Sequence, residues 1–184
     1  MHFSRIYDPT KFGTQALTFR HWGPTSRFDH HRLAAAGPSD DRDRGILYGA
    51  PTLSSCLVEV FGDTKIIDVA ALELAIIEVS RELKFLDLRG NGAMRAGTVA
   101  AICKESNRRY TQEWSRYFYD HGFVYDTVDG IIYGNAHNDE DALALYERSQ
   151  GSLALMNMRP LSHPVLKDAI MEIALATGMI VVPY

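Results

Sequence analysis

The chain has 184 residues, of which 46% are hydrophobic and 23% are charged. This composition excludes a mostly disordered chain, and the length suffices for one domain whose core needs no disulfide or metal. The formal net charge of -4 argues against the basic surface on which nucleic-acid binding relies. We therefore predict a single domain over residues 1–184 with no direct nucleic-acid partner.

The cysteines and the N-terminal sequence indicate the cellular compartment. Cys56 and Cys103 both fall within apolar helical patterns, where free thiols behave as small core residues. The sequence from Met1 to Arg5 lacks the features of a signal peptide, and no apolar run approaches the roughly 20 residues of a membrane helix. These features predict a soluble, cytoplasmic protein without a membrane partner.

Apolar periodicity divides the chain into short strands and helices. Strands are predicted over residues 3–7, 46–48, 72–79, 85–88, 142–146, 152–158 and 179–182, and residues 123–133 are also β-like. Helices are predicted after an N-cap at Thr52, over residues 96–104 and 110–119, and from an N-cap at Ser162 to about Ala176. Because the strands cluster instead of alternating with helices, we predict an α+β fold with a mixed β core and flanking helices.

Three polar residues in the first third of the chain lie in different local settings. Arg27 belongs to a polar, aromatic-flanked loop, Tyr48 closes the short strand, and Glu59 lies on the helix that follows Thr52. A strand end that faces a helix can frame a cleft. Taken singly, each residue also fits an ordinary role, as a surface cation, a half-buried strand residue or a solvated carboxylate.

Several other kinds of site are excluded by their missing motifs. The adjacent His30 and His31 point to different sides of any regular element, and the chain has neither H-E-x-x-H nor paired C-x-x-C, so we predict no metal. Phosphate-binding glycine loops and the G-x-S-x-G nucleophile motif are absent as well. A bound nucleotide would have to be held by loop amides and arginines, with Arg20 as a further candidate.

The order of these elements resembles the RES domain, the toxin half of RES–Xre toxin–antitoxin pairs. The matching features are Ser26-Arg27-Phe28, the strand that ends in Tyr48, and the helix with Leu57-Val58-Glu59-Val60. Leu86-Asp87-Leu88 and the segment from Asp129 to Tyr133 resemble two further motifs, so the resemblance covers about residues 19–146. Two features depart from the family: Asn135 stands where a serine is frequent, and an insert-like segment, residues 33–44, precedes Tyr48.

The resemblance implies a fold, an activity and a set of site residues. The fold would be similar to that of ADP-ribosyltransferases, and the activity would be cleavage of the nicotinamide–ribose bond of NAD by water or inorganic phosphate. NAD would thus be the substrate, with phosphate as a possible co-substrate and no cofactor. Glu59 would stabilise an oxocarbenium-like transition state, Arg27 would bind the pyrophosphate or the attacking phosphate, and Tyr48 would orient the ribose. The resemblance implies substrate-binding roles for Arg20, Tyr133 and Asn135, and a helix-turn-helix antitoxin of the Xre type as partner.

Two other functions stay open at this level. An enzyme of the same kind could transfer ADP-ribose to a macromolecule, and a degenerate module could bind only a nucleotide or a protein partner. The sequence decides neither the acceptor, nor the identity of an antitoxin, nor whether the protein forms a homodimer.

Overall fold

A computed structural model describes residues 1–182, and these residues form eleven strands, five α-helices and three short 3-10 segments. The strands are His2–Tyr7 (β1), Trp22–Gly23 (β2), Ser39–Asp40 (β3), Ile46–Gly49 (β4), Ile66–Asp68 (β5), Glu73–Val79 (β6), Phe85–Asp87 (β7), Gly130–Gly134 (β8), Asp141–Tyr146 (β9), Leu153–Pro160 (β10) and Ile180–Val182 (β11). The α-helices are Leu53–Phe61 (α1), Asn91–Arg95 (α2), Arg108–Asp120 (α3), Gly122–Tyr125 (α4) and Lys167–Thr177 (α5). The 3-10 segments are Ala100–Lys104, Glu147–Ser152 and Pro164–Leu166.

Two sheets contain most of the strand residues. Antiparallel pairing joins β1, β6 and β10, with β6 in the centre, whereas the second sheet is mixed and has the order β4-β9-β8-β7. The two sheets meet where Ser4 of β1 bridges to Ala50, directly after β4. Gly49 permits this approach, since a Cβ there would lie 2.6 Å from the ring of Phe3. The remaining strands form the pairs β2–β3 and β5–β11.

The mixed sheet is covered on both faces, as the alternation of side chains along β9 shows. Leu143 and Leu145 join a cluster between the two sheets, whereas Tyr146 points to the opposite face and packs with Phe118 of α3. A third cluster packs α1 and α5 together through residues such as Leu57 and Ile170. The sheet is thereby fixed on both sides, and the end of β4 lies close to α1.

A buried polar cluster ties the mixed sheet to α3. Glu147, directly after β9, accepts hydrogen bonds from His30 Nε2 at 2.9 Å, from the Tyr119 hydroxyl at 2.5 Å and from the Gly45 amide at 3.2 Å. Burial by itself raises the pKa of a carboxyl group, but here the hydrogen bonds from His30 and Tyr119 outweigh it and hold the pKa of Glu147 at about 2.

The low pKa of Glu147 predicts a specific loss of stability in acid. Its folded-state pKa of about 2 lies below the ordinary 4.5, so its contribution is present above pH 4.5 and lost as the pH falls towards 2. This difference corresponds to about 3 kcal/mol of unfolding free energy. We expect Glu147→Gln to lose this part of the unfolding free energy at pH 7. In urea denaturation measured from pH 7 to pH 2, the unfolding free energy of the variant should fall less steeply with decreasing pH than that of the wild type. The exposed Glu172→Gln should keep the wild-type slope, and an unchanged slope in Glu147→Gln would contradict the prediction.

The α+β class, with a mixed sheet and flanking helices, is confirmed, but three predicted elements differ substantially from those in the structure. Of the helix predicted over residues 96–104, only the 3-10 segment Ala100–Lys104 forms; α2 ends before this range, at Arg95, and Gly97 follows it with a φ of 80°. The β-like region 123–133 begins with α4, and β8 starts only after Asp126, whose φ is 63°. The helix predicted from Ser162 begins at Lys167, after a 3-10 turn that His163 caps.

The predicted domain range of 1–184 includes residues 183 and 184, which lie outside the described part of the chain. Among the described residues, no helix has both the length and the apolarity needed to cross a bilayer.

Candidate active site

A cleft of about 450 Å³ opens between α1, the end of β4 and the start of α3. Four of the six side chains predicted from the sequence line it: Arg27, Tyr48, Glu59 and Tyr133. The rest of its lining includes residues that the sequence did not single out: Ser26, Val60, Asp63, Ser106, Arg108, Ala136 and His137. Residues from distant parts of the chain thus converge on one concave site.

Local structure explains how the carboxylate of Glu59 reaches the cleft. Thr52 is the N-cap of α1, and its hydroxyl accepts a hydrogen bond from the Ser55 amide at 3.0 Å. Leu57 and Val58 are buried against the core, which leaves Glu59 on the side of the helix that borders the cleft. The N-cap prediction at Thr52 is therefore confirmed.

The surroundings of Glu59 perturb its ionisation. Solvent reaches the side chain through the cleft, but the enclosing protein removes enough water to raise the pKa of the carboxyl. The positive charge of Arg27 and hydrogen bonding from Tyr133 act in the opposite direction and favour the carboxylate. A carboxylate that is poorly hydrated interacts strongly with any positive charge that develops beside it.

Tyr48 is held by a network behind the cleft wall. Its hydroxyl donates to Asp29 Oδ1 at 2.8 Å and accepts from the Phe28 amide at 3.2 Å. Burial, followed by the negative charge of Asp29, raises the pKa of Tyr48 well above its usual value. The phenol therefore stays neutral.

Arg20 belongs to this supporting network and does not line the cleft. One of its guanidinium nitrogens contacts both carboxylate oxygens of Asp29, at 2.8 and 2.9 Å, and another donates to the Trp22 carbonyl. The predicted direct contact of Arg20 with substrate thus has no support in this geometry. Its position indicates that it acts on the site through Asp29 and Tyr48.

Two arginines supply positive charge to the cleft. Arg27 donates to the Glu105 carbonyl, and among residues 1–182 its other guanidinium N–H groups have no hydrogen-bond partner. Arg108 lies in the first turn of α3 and contacts the Thr25 carbonyl at 3.4 Å. Together with the N-terminus of α3, where no side chain caps the helix, these cations make this part of the cleft suited to an anion.

Asn135 is brought near the cleft, but it does not line it. The residue is fully buried, and its Oδ1 accepts hydrogen bonds from the amides of His137 at 2.9 Å and Asn138 at 3.1 Å. Its Nδ2 donates to Asn138 Oδ1 at 2.7 Å. Asn135 thereby organises the turn that places Ala136 and His137 at the cleft, and the geometry gives it a positioning role in place of the predicted substrate contact.

This turn can be tested by removing the amide of Asn135. Each net hydrogen bond contributes about 1 kcal/mol, and the Asn135 side chain makes three, so we expect Asn135→Ala to lower the unfolding free energy by roughly 3 kcal/mol. Urea denaturation measures this change. Asn157→Ala, at an exposed position of β10, is the control and should change stability little. A loss for Asn135→Ala no larger than that of the control would show that the turn does not depend on this amide.

The residues missed by the sequence have no motif of their own. Asp29, His137 and Arg108 become meaningful only through contacts between segments that are far apart in the chain. The sequence did contain one signal for Asp29, because it stands two residues after Arg27 and precedes two histidines that are also buried.

A second groove of similar size does not offer the same chemistry. It measures about 440 Å³ on the outer side of α3 and is lined by Tyr110, Trp114, Tyr117 and Tyr125 with Gly97 and Glu113. Among the described residues that line it, the one charged side chain is the carboxylate of Glu113, which disfavours phosphate groups. The aromatic side chains of α3 have two different surroundings, since Phe118 is in the core whereas Tyr110 and Tyr117 are exposed. Within residues 1–182, no three His, Cys, Asp or Glu side chains form a cluster that could hold a metal ion.

Comparisons with known proteins agree with the order of motifs in the chain. The model of the family described as RES domain matches residues 3–162. A chain in the crystal structure of the M. tuberculosis MbcT–MbcA toxin–antitoxin complex is similar in fold, with a TM-score of 0.60 and 15% sequence identity. The alignment covers 91% of this chain and 87% of that one. No curated protein sequence matches the chain.

Proposed function

Since the chain belongs to the RES domain family, we propose that it is an NAD-cleaving enzyme and the toxin of a toxin–antitoxin pair. The observation that carries this proposal is the convergence of Arg27, Tyr48, Glu59 and Tyr133 on one cleft. Their order along the chain resembles the family motifs, and their meeting in space supports a common chemistry. The motif resemblance inferred from the sequence is confirmed at the level of the family by the RES domain model, which matches residues 3–162.

The charges of the cleft suit the two halves of NAD. The pyrophosphate is anionic and would bind at Arg27 and Arg108, where planar guanidinium groups can contact phosphate oxygens in pairs. The nicotinamide ribose would then lie towards α1, between Tyr48 and Glu59. The phenols of Tyr48 and Tyr133 are neutral and donate their own protons to Asp29 and Glu59, so their oxygens can accept hydrogen bonds from ribose hydroxyls.

Glu59 would act on the bond between the ribose and nicotinamide. As this bond breaks, its electron pair moves to the positively charged ring nitrogen, nicotinamide leaves neutral, and positive charge develops on the ribose. The carboxylate of Glu59 stabilises that charge more strongly than it stabilises the bound substrate, which is the requirement for catalysis. A general acid is unnecessary because the leaving group needs no proton.

The proposed partner is an antitoxin with a helix-turn-helix domain of the Xre type. The similarity in fold to a chain of a toxin–antitoxin complex supports an antitoxin as the partner, and the Xre type follows from the family resemblance. Co-expression with a candidate antitoxin encoded beside this protein should restore growth that the protein alone suppresses.

The activity is tested directly with the purified protein and NAD. We expect nicotinamide to be released, and the product identifies the acceptor: ADP-ribose if water attacks, ADP-ribose 1″-phosphate if phosphate does. Parallel incubations with and without phosphate separate these two cases. Absence of nicotinamide release under both conditions, from folded protein, would refute the proposal. NAD labelled on the adenylate would reveal ADP-ribosylated macromolecules and would instead support the transferase alternative.

A further inference from the structure

We propose that His137 is a catalytic residue of this site and accepts the proton of the attacking water. The inference rests on the proposed NAD-cleaving function and deepens it, since that function assigns residues to the ribose and the pyrophosphate but none to the nucleophile. His137 lines the same cleft as Glu59 and comes from the turn that Asn135 organises.

Packing and backbone contacts fix the position of the His137 ring. Gly62, at the C-terminal end of α1, leaves room for it, since a Cβ at Gly62 would lie 2.4 Å from His137 Cδ2. The backbone amide of His137 is held by Asn135 Oδ1 at 2.9 Å. The imidazole is therefore placed against the same helix that carries Glu59, and its side chain remains 29% exposed towards the cleft.

The two ring nitrogens of His137 have different surroundings. Nε2 faces Asp63 Oδ1 at 3.5 Å, so the carboxylate favours the tautomer with its proton on Nε2. Across residues 1–182, Nδ1 has no hydrogen-bond partner and is free to accept a proton. Asp63 is 82% exposed, so its pairing with His137 orients the ring and adds little stability.

In the proposed step, water replaces nicotinamide on the ribose carbon. The water oxygen forms a bond to the ribose carbon that held nicotinamide, and the bond from that carbon to the ring nitrogen breaks, with its electron pair going to nicotinamide. The proton of the water passes to Nδ1 of His137, which later releases it to solvent. Glu59, one helical turn before Asp63, remains ionised and stabilises the ribose during this step.

The test compares nucleophiles that do and do not need to lose a proton. We expect His137→Ala to slow nicotinamide release in water by roughly tenfold, which is less than general acid–base catalysis usually contributes to a rate. The effect is smaller because, in an oxocarbenium-like transition state, the bond to nicotinamide is largely broken before the bond to water forms. Azide is an anion that attacks without deprotonation, so added azide should restore most of the lost rate. The dissociation constant of NAD should stay within about twofold of the wild type, since His137 is assigned no contact with NAD.

Two further variants keep the test decisive. Glutamine has a volume similar to that of histidine but no basic ring nitrogen. His137→Gln should therefore release nicotinamide in water as slowly as His137→Ala, and this agreement would show that the loss does not come from a turn disturbed by the smaller alanine. His2→Ala, outside the cleft on β1, should retain the wild-type rate. An unchanged rate in water, or a loss that azide does not restore, would overturn the role of His137 and leave the proposed function standing. Failure of the wild type to release nicotinamide with water, phosphate or azide would instead refute the proposed function and, with it, this inference.

Discussion

Replacing Glu59 by glutamine is expected to reduce nicotinamide release from NAD by at least roughly a hundredfold, which corresponds to about 3 kcal/mol of transition-state stabilisation. Glutamine has nearly the same shape as glutamate but no charge, so it cannot stabilise the positive charge that develops on the ribose. The lost interaction exists mainly in the transition state. We therefore expect kcat to fall far more than the affinity for NAD, which steady-state kinetics and equilibrium binding measure separately.

Stability and a matched variant complete this test. The surrounding protein raises the pKa of Glu59, so loss of the charge should not reduce stability, and the melting temperature should stay equal or rise slightly. Glu172→Gln makes the same chemical change on the exposed surface of α5 and should leave kcat unchanged. Full nicotinamide release by Glu59→Gln would contradict the assignment of this residue, whereas an unchanged cellular effect of a variant that no longer releases nicotinamide would favour a binding module without catalysis.

The order of motifs allowed a large part of the site to be predicted from the sequence. Arg27, Tyr48, Glu59 and Tyr133 lie in short segments whose local pattern is readable: a polar loop, a strand end, a capped helix and a second strand. Each local structure follows from nearby residues, and the family resemblance supplied the long-range relation between them. The roles of these side chains in catalysis remain predictions.

The supporting residues were not predictable in the same way, because their roles depend on contacts across the fold. Asn135 was assigned to substrate from its place after Tyr133, but its side chain makes three hydrogen bonds within the turn that it organises. Arg20 was assigned to an anion, and the nearest anion is the buried carboxylate of Asp29. In both cases the residue type was read correctly as a donor or acceptor, whereas its partner was set by packing that the sequence does not display.

The same limit applies to the secondary structure. Strong signals such as the Thr52 N-cap and the aliphatic run of β6 were placed correctly. The elements around Gly97 and Asp126 were placed wrongly, because positive φ values at these residues interrupt the regular secondary structure although the apolar periodicity of the sequence continues. Backbone conformations of this kind are stabilised by the packed structure around them and are only weakly encoded in residue type.

Asp29 connects the stability of the fold to the geometry of the cleft. Its buried carboxylate accepts hydrogen bonds from the amides of Thr25 at 2.6 Å and Ser26 at 2.8 Å, in addition to those from Arg20 and Tyr48. Burial alone raises the pKa of Asp29, but the charge of Arg20 and the two amides reverse this effect and lower it. Its stabilising contribution is therefore present above the ordinary pKa of an aspartate and is lost as the pH falls through the lowered value.

Asp29→Asn is accordingly expected to lower the unfolding free energy at pH 7 by roughly 3–5 kcal/mol, the range found when one partner of a buried ion pair is removed. The amide nitrogen of asparagine cannot accept the hydrogen bonds that now reach both carboxylate oxygens, and it leaves the Arg20 charge without its partner. Urea denaturation followed by circular dichroism measures the loss, with Asp168→Asn on α5 as a control that should change stability by about 0.5 kcal/mol or less. Because Tyr48 donates to the same carboxylate, the variant should also lose nicotinamide release at temperatures where it remains folded. Wild-type stability in Asp29→Asn would show that Arg20 and Tyr48 are held by other contacts. Normal nicotinamide release from a destabilised variant would show that Asp29 stabilises the fold but is not needed to orient Tyr48.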